Sequence, residues 1–224
     1  MPIEAVIFDF NGTLLQDDYE NQKSWLQYLY SQLQEHIPDS EYRDNILGKS
    51  NTKILKEYIS EDLTKEEIQE HSEGKERLYR QMLKERGDGL ELIDGSYTLF
   101  DYLDYQRIPY TIATGAPDKN VDFYFEVFEL ERWFDRSLVL VDNGDFEGKP
   151  APDIYLKAME LLDSKPESTL VIEDSPIGVL AAENAGIKNI IVMDSSKNRE
   201  SKYPILDNFE DLIQYIIDMQ KDSD

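Results

Sequence analysis

The chain has 224 residues, no cysteine, two histidines and 47 acidic against 23 basic side chains, a net charge of −24. The missing cysteine excludes a disulfide scaffold, a thiolate zinc site and a cysteine nucleophile. The negative field argues against nucleic acid or an anionic membrane as partner, yet permits a small phosphorylated ligand held by a few local donors. No run of 18 apolar residues offers a membrane span and the N-terminus enters a strand-like segment almost at once, so a cytoplasmic protein without a leader is expected; a monomer or weak dimer is the accompanying expectation.

Five short apolar runs punctuate the chain: Ala5–Phe10, Tyr110–Ala113, Leu138–Val141, Leu170–Ile172 and Ile190–Val192. They are continuous rather than alternating, which suits strands buried on both faces of a parallel sheet. Between and after them lie helical patterns. Ile154, Ala158, Leu161 and Leu162 share one face behind Pro152; Val179, Leu180 and Ala182 follow Pro176. Phe209, Leu212, Ile213, Ile216 and Ile217 form an amphipathic stripe capped by Asn208, and Lys221–Asp224 reads as a frayed tail. The alternation predicts a doubly wound, mostly parallel five-stranded α/β sheet.

The stretch 16–92 breaks the alternation. It has no strand-like run but long helical patterns such as Trp25, Leu26, Leu29 and Leu33. It reads as an all-helical cap inserted after the first strand, leaving 1–15 and 93–224 as the α/β domain, with hinges near Leu15–Asp18 and Gly87–Leu92. Both histidines, His36 and His71, fall in this stretch, in segments that read as helical. Trp25, Tyr28 and Tyr30 read as packing residues. Residues 16–90 carry 17 acidic and 11 basic side chains, leaving 30 against 12 elsewhere, so the acidity belongs mainly to the α/β part.

Ligands of open parallel sheets bind beyond the carboxyl ends of the strands, where the strand order reverses. Four strand ends here carry suitable groups: Asp9-Phe10-Asn11-Gly12-Thr13, Thr114-Gly115-Ala116, Gly148-Lys149-Pro150 and Glu173-Asp174-Ser175-Pro176. Each alone reads as a turn, a helix start or a surface lysine. Their joint occurrence at successive strand ends points to one phosphate-and-metal site.

These segments, "FDFNGTL", "IATGAP", "GKPAPDIYLKA" and "VIEDSPIGVLAAENAGI", resemble the four motifs of the haloacid dehalogenase superfamily, in the helical-cap branch that includes β-phosphoglucomutase and phosphoglycolate phosphatase. The resemblance implies a phosphatase that forms an aspartyl-phosphate on Asp9 with the help of Mg²⁺. It implies Asp9, Asp174 and the backbone carbonyl of Asn11 as metal ligands. Glu173 would ligate through water or orient its neighbours. Thr114, Lys149 and the backbone N–H groups of Gly12, Gly115 and Ala116 would bind phosphate, with Lys149 charged against the transferring group. Cap closure would exclude water during transfer.

The chain departs from the family at Asn11, where the phosphatases and mutases carry a second aspartate that protonates the leaving oxygen. An amide keeps the shape but exchanges no proton, so turnover of poor leaving groups is expected to drop ~10²–10⁴-fold. Acyl and aryl phosphates need less help. Asn11 thus marks a specialised or weakened enzyme, a substitution made to trap a complex, or a site kept for binding a phosphometabolite in a regulatory role. Asn11-Gly12 is also a deamidation-prone pair, so part of a preparation can regain Asp. In the cap, the mutase's histidine falls near Asn21 and its basic residue on Asn51, which weighs against a phosphosugar mutase. Lys49 and Lys53 are candidate anion contacts. Phosphonate hydrolysis, which uses a cap lysine, is a minor alternative.

Overall fold

The structure is a computed structural model that describes residues 2–141, 143, 146–194 and 200–221. In chain order, β1 (Ala5–Phe8) precedes α1 (Asp18–Leu33), the one-turn α2 (Asp39–Glu41), α3 (Asn51–Tyr58) and α4 (Lys65–Glu85). There follow α5 (Ser96–Gln106), β2 (Tyr110–Thr114), α6 (Asp118–Phe128), β3 (Leu140–Val141) and α7 (Asp153–Leu161). The chain continues with β4 (Thr169–Glu173), α8 (Pro176–Asn184), β5 (Asn189–Met193), β6 (Ile205–Leu206) and α9 (Phe209–Lys221). It separates into two compact units, Met1–Gln16 with Glu91–Asp224 and Asp17–Leu90.

In the first unit the strands form one parallel sheet in the order β3-β2-β1-β4-β5-β6. Alternate residues serve its two faces. Ile7, Ala113, Val171 and Ile190 pack with Ile154, Tyr155 and Ala158 of α7 and Ala181, Ala182 and Ala185 in and just after α8. Phe8 meets Phe100 of α5 edge-on at 5.7 Å between ring centroids and Phe209 of α9 at 6.2 Å. A strand covered on both sides has no polar face to present, which is why the runs were continuous. Asn208 caps α9, its Oδ1 accepting from Asp211 N at 2.9 Å.

Several expectations need correction. The sheet has six strands rather than five: β6 is only two half-buried residues, too short to leave a pattern. The first strand ends at Phe8, because the N–H groups of Leu14 and Leu15 both turn back to the Phe10 carbonyl. The third begins at Leu140; Asp135 accepts from the Ser137 N–H and hydroxyl at 2.9 and 2.7 Å and winds Arg136–Leu138 into a 3₁₀ turn. Leu161 and Leu180 are exposed. The last three residues of the expected tail, 222–224, lie outside the described residues.

The second unit contains helices and no strand among its described residues. Ser50 caps α3, and Thr64 with Glu67 forms a capping box on α4. Its core joins Trp25, Tyr28 and Leu29 to Tyr42, Ile46, Ile54 and Leu55. Tyr30, expected to pack, is half exposed, and Leu33 lies at the surface. His36 lies in a loop rather than a helix, since Gln34 adopts φ 55° to end α1 and Pro38 follows. No helix among the described residues is long and apolar enough to cross a membrane.

Candidate active site

The strand order puts the reversal between β1 and β4, the crevice where an open sheet receives ligands. Pairing of Phe8 with Ile172, and an Asp9 N–H to Ile172 carbonyl bond of 2.9 Å, bring Asp9 beside Glu173 and Asp174. Carboxylate oxygens of these three acids lie within 4.8 Å of one another. Asp9 and Glu173 are buried and Asp174 is half-buried.

Lys149 arrives from the segment before α7 and closes the group. Its ammonium donates to Asp9 Oδ1 at 2.7 Å, Glu173 Oε1 at 2.6 Å and the Ala113 carbonyl at 3.3 Å. Three hydrogens meet three acceptors, so the side chain is fixed. Burial alone would lower its pKa, but the charges of Asp9 and Glu173 outweigh that and hold it well above the ordinary lysine value.

Glu173 is more enclosed still. Oε1 accepts from Lys149 and from the Tyr155 hydroxyl at 2.7 Å, while Oε2 accepts from Asp174 N, Ser175 N and Ser175 Oγ at 3.0, 3.1 and 3.1 Å. Burial pushes its carboxyl up, yet the Lys149 charge and these donors bring it below the usual range. The α8 backbone seals the remaining side: a Cβ on Gly178 would lie on top of Glu173 Oε1. Both Glu173 oxygens are thus hydrogen-bonded to Lys149, Tyr155 and the β4–α8 turn, and the three acids together could supply oxygens to a cation. Ser175 also caps α8, accepting from Gly178 N at 3.0 Å.

Gly12 sits at φ 77°, and a Cβ there would come within 2.4 Å of Asp174 Oδ2. Only glycine leaves that carboxylate its place. Asn11 turns its amide nitrogen to the Tyr124 hydroxyl at 2.9 Å and its carbonyl to the Thr114 hydroxyl at 3.5 Å. Tyr124 is fully buried and stacks on Phe10 at 4.1 Å, so this contact has a rigid backing. The Ala116 N–H donates to Thr114 Oγ1 at 3.1 Å, and no Cβ clash restricts Gly115.

The described segments carry this arrangement inside a region matched by the model of the haloacid dehalogenase-like hydrolases, over residues 6–192. The chain belongs to that family. Among curated relatives, a phosphorylated carbohydrates phosphatase of Thermotoga maritima is 30% identical over 201 residues, 88% of each chain. The pyrophosphatase PpaX of Bacillus cereus is 29% identical across 99% of this chain and 100% of its own. A solved family IA, variant 3 hydrolase from Entamoeba histolytica superposes with a TM-score of 0.87 at 30% identity, covering 98% of this chain and 100% of that one.

For this haloacid dehalogenase-like hydrolase, Asp9, Asn11, Gly12, Thr114, Lys149, Glu173 and Asp174 belong to the α/β unit, and the bonds above link most of them directly. Lys49 and Asn51 belong to the helical unit. Lys49 pairs with Glu57 at 2.6 Å, and Asn51 donates to Glu76 Oε1 at 2.9 Å. Sequence reading missed Tyr155 and Tyr124. Tyr155 had a signal, standing six residues after Lys149 in the same motif. Tyr124 had none, because a tyrosine on an apolar helix face reads as core.

Proposed function

We propose that the protein is a Mg²⁺-dependent phosphohydrolase of small phosphorylated metabolites that works through an aspartyl-phosphate on Asp9. The observation that carries the reading is the Lys149 ammonium clamped between Asp9 and Glu173, beside Asp174, at the reversal of the strand order. The T. maritima and B. cereus relatives, named as phosphatases, support it.

Three carboxylates against one ammonium leave the cluster short of positive charge, and its hard oxygen donors suit magnesium. Asp9, Asp174 and the Asn11 backbone carbonyl would hold the ion. When bound, it supplies the charge that lets a phosphate dianion approach carboxylates. Asp9 is the nucleophile, its Oδ1 oriented by Lys149. Lys149 carries fixed positive charge to the transferring phosphoryl group. Thr114 and the N–H groups of Gly12, Gly115 and Ala116 supply donors to its oxygens. Asn11 makes a second reading worth keeping, a phosphometabolite-binding relative with little turnover.

The test is aryl-phosphate turnover with magnesium and with chelator, for the native chain and Asp9→Asn. Chelation should abolish turnover and magnesium restore it. Asp9→Asn should lose on the order of 10⁴–10⁶-fold. Activity that survives in Asp9→Asn sinks the reading; a native chain that binds phosphate without turnover favours the second.

A further inference from the structure

We infer that the site is built for phosphoryl donors whose leaving group departs without receiving a proton: an acyl phosphate or a phosphoanhydride. This rests on the phosphohydrolase reading and narrows it to a substrate class. Among the described residues, the protons around Asp9 are already committed or cannot be released.

Each hydrogen of the Lys149 ammonium is engaged, by Asp9 Oδ1, Glu173 Oε1 and the Ala113 carbonyl. The hydroxyls of Tyr155 and Ser175 both go to Glu173. The Thr114 hydroxyl, 3.5 Å from the Asn11 carbonyl, can donate a hydrogen bond but is an alcohol and gives up no proton near neutral pH. Asn11 occupies the position two residues after the nucleophile, and its nitrogen is directed to Tyr124, a buried ring fixed by stacking on Phe10. An amide in any case releases no proton. No imidazole can substitute within this unit, because His36 and His71 both belong to the unit Asp17–Leu90. Asp9 must be ionised to attack, and Glu173 accepts five hydrogen bonds. Asp174 is the acid that the phosphohydrolase reading assigns to the cation.

The chemistry then sorts substrates by leaving group. An Asp9 oxygen bonds to phosphorus as the bond to the leaving oxygen breaks, and the electron pair stays on that oxygen. A carboxylate or a phosphate holds the pair without a proton; an alkoxide does not. In the second step, water oxygen bonds to phosphorus, the pair of the breaking bond returns to the Asp9 carboxylate, and the spare water proton leaves with the phosphate. That step is the same for every substrate. The ratio kcat/KM, which runs through the first transfer only, therefore reports leaving-group departure.

The experiment measures kcat/KM with magnesium for acetyl phosphate, pyrophosphate, aryl phosphates of graded leaving-group acidity and glycerol phosphate. It uses native protein shown by peptide mass spectrometry to retain Asn11, together with Asn11→Asp and Asp9→Asn. Native kcat/KM should fall steeply along the aryl series, with glycerol phosphate last. Asn11→Asp should raise the glycerol phosphate value ~10²–10⁴-fold and the acetyl phosphate value less than about tenfold, flattening the series. The ranking of acetyl phosphate against pyrophosphate separates acyl phosphate from anhydride. A flat native series, or a native chain inert towards every donor, overturns the inference. Activity that persists in Asp9→Asn instead overturns the phosphohydrolase reading beneath it.

Discussion

Each unit encloses one lysine against carboxylates, Lys75 fully and Lys149 nearly so, and the two clusters are solved differently. In the helical unit, Lys75 donates to Glu76 at 3.1 Å and Asn21 at 2.7 Å, and lies over the rings of Trp25 and Tyr79 at 5.2 and 5.1 Å. One ammonium meets one carboxylate, and amide and aromatic groups complete its surroundings. In the α/β unit, Lys149 faces Asp9 and Glu173 with Asp174 alongside. That charge does not balance. A buried ion costs several kcal/mol unless it is paired; the first cluster pairs its lysine with an acid, whereas the excess of acid in the second suits the cation proposed for it.

The comparison can be broken at either lysine. Lys75→Met removes the ammonium beside buried Glu76 and should cost about 3–5 kcal/mol in chemical denaturation. Magnesium should not recover that loss. Lys149→Met should reduce kcat by roughly 10²–10³-fold, the usual effect of losing one preorganised electrostatic contact. It should also destabilise the protein in chelator, but here magnesium should restore stability, because a cation can take the place of the missing charge. Equal responses to magnesium in the two variants would end the distinction. Tyr155→Phe keeps the ring and removes one donor from Glu173, with an expected cost of about 1.5–3 kcal/mol. If Glu173 orients Lys149, this variant should lower kcat with little change in KM; unchanged kcat would make Tyr155 a packing residue only.

The α/β sheet was largely legible because strands buried on both faces leave continuous apolar runs. Ala5, Val6, Ile7 and Phe8 are all buried, as are Leu170, Val171 and Ile172. Two-residue strands leave no such trace, which hid β6 and blurred the start of β3. The site residues stood out because strand ends interrupt apolar runs with Asp9, Thr114 and Glu173-Asp174. Their partners did not stand out. Tyr155 and Tyr124 are fully buried rings whose hydroxyls matter only through long-range contacts. Lys75 is hidden in a different way. It is one charge among many on α4, and its burial is set by packing against α1. The five donors around Glu173 were likewise hidden, because they come from β4–α8, from Lys149 and from Tyr155 and meet only in the fold.

The proposed mechanism stands or falls on whether Asp9 accepts the phosphoryl group. The direct measurement is an acid quench of native protein turning over acetyl phosphate with magnesium, followed by peptide mass spectrometry. One hydroxylamine-labile phosphoryl group is expected on the peptide containing Asp9, and none in Asp9→Asn. Turnover with no trapped phosphoryl group, or a group on any other residue, would contradict it.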